Sequence, residues 1–235
     1  MIPFGGIMIS AFQIYTKRWI QKEVPREKKA RLGTILRVLK KTYPDAKIAL
    51  RYTNNIQLLV AVILSAQCTD KKVNEVIEPL FKKYKTARDF ARANPRTFEK
   101  EIHSTGFFRA KAKNIIAACR KIEKEFGGTL PRSMEKLLTL PGVARKTANV
   151  VLGNAYGITE GIAVDTHVMR LSQRLGLTRY TDPVNIEKDL MNSVPKKEWF
   201  SFTYRIINHG RVVCIAQHPK CAECPLNKLC PSTVV

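Results

Sequence analysis

No apolar run in this chain is long enough to cross a bilayer. The longest, Leu58–Leu64, falls well short of the roughly 20 residues a spanning helix needs. A secretory leader is not indicated either: Met1–Tyr15 is fairly apolar, but Lys17 and Arg18 follow that stretch instead of preceding it. Tandem repeats and low-complexity tracts are also lacking. Acidic residues are scarce, with Asp+Glu 19 against Lys+Arg 41, a formal net charge of +22. The basic residues alternate with apolar segments along the whole chain, unlike a basic tail on a neutral domain. Such a balance points to a polyanionic partner, either nucleic acid or an anionic membrane surface. A hydrophobic content of 45% supports a packed core and excludes a disordered polycation. A cytoplasmic, reducing location is expected, with no membrane span.

Cysteine is used in two ways. Cys68 and Cys119 stand apart and are expected to be ordinary buried side chains. Cys214, Cys221, Cys224 and Cys230 crowd together as Cys-x6-Cys-x2-Cys-x5-Cys. Four thiolates suit a tetrahedral zinc ion or a 4Fe–4S cluster. The spacing favours the cluster, because structural zinc sites tend to use two short pairs and only Cys221/Cys224 has that spacing. Prolines follow Cys224 and Cys230, as in ferredoxin-like cluster loops. Zinc, or a pair of disulfides, stands as the alternative.

The remaining pattern is helical almost throughout. Leu32, Ile35, Leu36 and Leu39 recur on one face, and Pro44-Asp45 closes that helix. Ile56–Ala66 is apolar nearly all round, as a central helix would be. Val73, Val76, Ile77, Leu80 and Phe81 give another amphipathic face. Short helices fit Ala87–Ala93, Arg96–His103 and Ala110–Phe126, the last ended by Gly127-Gly128. Ser133 is an expected N-cap for a short helix that stops at Pro141-Gly142, and a second helix starts near Ala144. Residues 133–156 thus read as a helix-hairpin-helix. Its turn, Leu140, Pro141, Gly142, Val143, Ala144 and Arg145, would present backbone N–H groups to a DNA phosphate without reading a base. An ordinary helix–helix turn is the plain alternative. Taken alone, Lys146 would be a phosphate-contacting lysine. Asp165, just before Thr166–Leu175, would be a helix N-cap.

Together these segments resemble the endonuclease III branch of the helix-hairpin-helix DNA glycosylases. The resemblance rests on Leu64-Ser-Ala-Gln-Cys-Thr-Asp70, Leu140-Pro-Gly-Val-Ala-Arg-Lys-Thr-Ala148, Val164-Asp-Thr-His167 and the four-cysteine loop, in that order. It runs from about Arg26 to Pro231 and leaves residues 1–25 as an N-terminal extension of unassigned role. One departure is visible: Ala144 stands where the family usually has a second glycine, so a shifted or strained turn is expected there.

The resemblance implies an all-α, two-lobed fold. A six-helix lobe would span about 48–158, and a second lobe would combine 26–47 with 159–235. It implies a 4Fe–4S cluster on the four cysteines of the 214–230 loop, and double-stranded DNA with damaged pyrimidines or abasic sites as partner. A monomer is expected. It places Lys146 and Asp165 at the catalytic positions of a bifunctional glycosylase and abasic-site lyase. The chemistry suits those residue types. A lysine amine can displace a base from C1′ and keep the sugar as a Schiff base, and a carboxylate can steady the developing positive charge. Gln67 matches the position that fills the gap left by a flipped nucleotide, and Phe107 in Thr105-Gly-Phe-Phe108 is a candidate second wedge, with a core aromatic as the alternative. Lys220 and Lys228 are expected to meet phosphates, and His167 is read as structural. Two enzyme alternatives belong to the same superfamily. The adenine glycosylase branch lacks the hairpin lysine and carries an acid where this chain has Ser65-Ala-Gln67, and a mismatch thymine glycosylase differs only in its pocket. A non-catalytic DNA-binding relative would have replaced Lys146 or Asp165, and both are present.

Overall fold

A computed structural model describes residues 17–235; residues 1–16, most of the expected extension, lie outside the described residues. Among the described residues every regular element is helical. The chain divides into two compact units. One is residues 48–163, and the other joins residues 17–47 with Val164–Val235.

The first unit is built around α2 (Asn55–Leu64), which is buried on all sides from Ile56 onward. Asn54 caps it by accepting the Gln57 amide at 2.9 Å. The one buried polar side chain on this helix, Gln57, is satisfied: it accepts from Thr53 and donates to the carbonyls of Phe81 and Tyr84, so it costs little in the core. Around α2 lie α3 (Asp70–Lys83), α4 (Ala87–Ala91), α5 (Pro95–Glu101), α6 (Phe108–Phe126), α7 (Met134–Leu138) and α8 (Arg145–Tyr156). Thr69, Thr86, Asn94 and Ser133 cap four of them through side-chain oxygens. Of these, α4 and α7 are separate five-residue segments. The apolar helix stops at Leu64, before the sequence-based limit at Ala66, so Gln67 falls in the following turn.

The second unit contains α1 (Pro25–Thr42), α9 (Thr166–Arg174), α10 (Pro183–Ser193) and α11 (Trp199–Val212), followed by the cysteine loop. Leu32, Ile35, Leu36 and Leu39 are the buried face of α1, as their spacing requires. Arg31 fixes α1 against the rest. It forms a bidentate pair with Glu23 at 2.6 and 2.8 Å, and donates to the carbonyls of Leu175 at 2.6 Å and Leu229 at 3.2 Å. One buried guanidinium thereby ties the end of α9 and the cysteine loop to the N-terminal helix.

Candidate functional site

In the first unit, the hairpin is a tight turn between α7 and α8. Leu140 and Val143 are buried and anchor it, while Gly142 and Ala144 are exposed. The turn closes through Val143 N–H donating to the Leu140 carbonyl at 3.1 Å. Gly142 has φ +78°, and a Cβ there would lie 2.8 Å from Asn114 Cβ. Glycine is therefore required twice over, by backbone conformation and by space. Ala144 is another matter. Its φ of −90° and ψ of 170° are ordinary extended values, so the strain expected from the missing second glycine does not arise. Ala144 is the N-cap of α8, and no side-chain oxygen caps the first turn there. Lys146 is the second residue of α8, half-buried.

Two exposed turns lie in the same unit. Gln67 has φ +52° and Phe107 has φ +49°, and they are the two non-glycine residues with left-handed backbone among those described. Such conformations persist only where the surroundings enforce them, and they gather at functional sites. Phe107 is 66% exposed, which removes the core-aromatic alternative. Phe108 takes the inward position, its ring 4.5 Å from that of His103.

In the second unit, Asp165 is the N-cap of α9, its Oδ1 accepting the Val168 amide at 2.8 Å. His167 packs so closely on α11 that a Cβ on Gly210 would lie 2.7 Å from its Nδ1. From the same helix, Arg170 donates to the carbonyls of Gly210 and Cys214 at 3.1 and 3.0 Å. Arg174 reaches the carbonyls of Ile215 and Ala216, and its Nη1 lies 3.3 Å from Cys214 Sγ. The helix that carries Asp165 thus also holds the cysteine loop.

All four loop cysteines line one cavity of about 400 Å³. The lining brings four sulfur donors to one cavity with no carboxylate among them, a donor set that fits an iron–sulfur cluster. Burial pushes the Cys224 thiol up, and the Cys230 thiol up to about 11. Thiolates here need bound cations to hold their charge, as iron ligands do. His209, 2% exposed, sits against this cavity. Burial lowers its pKa to about 4, so the ring is neutral. Its Nδ1 is 3.0 Å from the Tyr43 hydroxyl and its Nε2 is 3.4 Å from Cys224 Sγ. With the tautomer inferred from this network, Tyr43 O–H donates to the ring and the ring donates to sulfur. The Leu226 amide also donates to Cys224 Sγ at 3.4 Å. Lys220 and Lys228 are exposed on the loop.

Sequence reasoning missed Arg31, Arg170, Arg174, Tyr43 and His209, whose partners are set by tertiary packing. A signal existed for His209 alone, as a histidine five residues before Cys214.

Two family models match the chain. One, described as HhH-GPD superfamily base excision DNA repair protein, covers residues 60–196. The other, described as iron-sulfur binding domain of endonuclease III, covers residues 214–230. Endonuclease III of Synechocystis sp. is 59% identical over 205 residues, covering 87% of this chain and 94% of that protein. Endonuclease III of Bacillus subtilis is 48% identical over 189 residues, 80% and 86% of the two chains. Among solved structures, a non-covalent endonuclease III–DNA complex has a TM-score of 0.84 at 44% identity, covering 87% of this chain and 96% of that one. A trapped endonuclease III–DNA covalent intermediate has a TM-score of 0.83 at 45% identity, with the same coverage.

Proposed function

The chain belongs to the endonuclease III family of helix-hairpin-helix DNA glycosylases, and from that premise we propose how its own residues carry out the reaction. It is a DNA glycosylase and abasic-site lyase of base excision repair, it binds DNA, and it carries a 4Fe–4S cluster.

Lys146 is the nucleophile. It reacts as the free amine, attacking C1′ as the glycosidic bond breaks and the base leaves with the bonding electrons. The carboxylate of Asp165 accepts the proton shed by the amine and balances positive charge on the sugar. The nitrogen lone pair then breaks C1′–O4′, O4′ takes a proton as the sugar ring opens, and the Schiff base so formed acidifies the C2′ proton. Its loss expels the 3′ phosphate and nicks the strand, and water then releases Lys146. The observation that carries this assignment is the position of Lys146 in the first turn of α8, directly behind the 140–144 turn. A phosphate held on the exposed N–H groups of that turn brings the sugar–phosphate backbone to the amine. The trapped covalent intermediate of a relative 45% identical supports a covalent route.

The substrates are duplexes with oxidised pyrimidines or abasic sites, acted on by a monomer bound to nucleoid DNA in the cytoplasm. Gln67 and Phe107 occupy the space left by the flipped nucleotide. Cys214, Cys221, Cys224 and Cys230 hold the cluster. With the cluster held on these four cysteines the loop would be cross-linked, and Lys220 and Lys228 would be set toward phosphates. Borohydride reduction during turnover, with the adduct mapped by mass, tests the assignment: the modified residue should be Lys146.

A further inference from the structure

The two left-handed turns at Gln67 and Phe107 share one anchor. Lys111, the fourth residue of α6, is only 5% exposed although it carries an ammonium. Its Nζ donates to the Leu64 carbonyl at 2.7 Å and to the Thr105 carbonyl at 2.7 Å. Leu64 is the last residue of α2, three before Gln67, and Thr105 lies two before Phe107. The Lys111 backbone completes the hold, its N–H donating to the Phe107 carbonyl at 3.0 Å. A lysine is seldom buried without a carboxylate, since removing its charge from water is costly. Burial here shifts its pKa down. Two short charge-assisted bonds to carbonyls offset that cost.

We propose that Lys111 is a positioning residue for nucleotide flipping: its one ammonium sets the end of α2 and the 105–107 turn at a fixed distance, so that Gln67 and Phe107 enter the duplex as a rigid pair. This rests on the reading of Gln67 and Phe107 as the wedges. A generic core contact would be better made by an apolar residue, since Lys111 is buried on α6 along with Ala112, Ile115 and Ile116. What an apolar residue cannot do is join two carbonyls from segments about forty residues apart in sequence. Without the ammonium both carbonyls lose a buried donor, and each turn is held only by its local bonds.

The test is single-turnover kinetics on two duplexes, one with a thymine glycol and one with a preformed abasic site, where no base pair must be broken. Lys111→Met should lower the rate on the paired lesion about tenfold and the rate on the abasic duplex by no more than about twofold. Lys111→Arg, which keeps a charged donor, should recover most of the loss. The double variant Lys111→Met with Gln67→Ala should be no more than about twofold slower than the slower single variant, because both changes disable one device. Equal losses on both substrates, no loss on either, or fully multiplicative losses in the double variant would overturn the proposal. Gln67→Ala and Phe107→Ala separate the two layers. If neither loses rate selectively on the paired lesion, the wedge reading fails and the clamp with it. If both do and Lys111→Met does not, the clamp alone fails. Should Lys111→Met not fold, Lys111→Gln, a neutral donor able to reach one carbonyl, takes its place with the same expected selectivity.

Discussion

The Asp165 carboxylate accepts the Val168 amide at 2.8 Å, so the proposed charge-stabilising group is also the cap of α9. Capping fixes the side chain without neutralising it. Two substitutions separate these roles. Asparagine caps as well as aspartate, so Asp165→Asn should change stability by only a few tenths of a kcal/mol while turnover falls roughly a hundredfold or more. Asp165→Ala should lose the turnover and, in addition, about 1 kcal/mol of stability. Thermal unfolding with steady-state rates on the same preparations checks both. Normal turnover in Asp165→Asn, with loss of stability confined to Asp165→Ala, would leave only the capping role.

Gly142 is the position at which the hairpin tolerates no side chain. Alanine there must adopt φ +78° and meet Asn114 Cβ at 2.8 Å, at a cost of about 1–3 kcal/mol. Gly142→Ala should therefore lower the melting temperature and weaken binding to damaged and undamaged duplex by the same factor, since a phosphate contact carries no lesion information. Unchanged affinity for both duplexes would remove the turn from the DNA interface.

The metal centre has a direct chemical signature. Protein purified without air damage should be yellow-brown, with about four irons per chain and negligible zinc. Cys221→Ser should reduce iron content and DNA affinity more than it slows the chemistry of complexes already formed. One zinc per chain with no visible absorption would reject the cluster.

The excess of positive charge should be visible as salt dependence. With about five to seven phosphate contacts, log affinity should fall against log salt with a slope of about −4.5 to −6.3. Undamaged duplex should give a similar slope. A nearly flat slope would mean that the net charge of +22 is not used on DNA.

Much of this was legible in sequence because it is local. The buried face of α1, the caps at Ser133 and Asp165 and the turn at Pro141-Gly142 each depend on neighbours within a few residues. The strain expected at Ala144 was not found, since a missing glycine matters only where φ is positive, and the positive φ lies at Gly142. Long-range pairings were not readable. Tyr43 meets His209 across 166 positions and Lys111 meets Leu64 across 47. Lys111 looked like one of 41 basic residues. Its place beside Ala112, Ile115 and Ile116, on what became the buried face of α6, was the only sign that it turns inward. The exposure of Phe107 with the inward turn of Phe108 depends on a left-handed residue that sequence alone does not reveal.

The central assignment is that Lys146 forms the covalent bond to C1′. Borohydride added to a reaction on duplex carrying an oxidised pyrimidine should give one protein–DNA adduct, with the modified peptide containing Lys146. Lys146→Ala should bind the same duplex with little loss yet give no adduct, no free base and no nick. An adduct on another residue, or undiminished cleavage by Lys146→Ala, would contradict the mechanism.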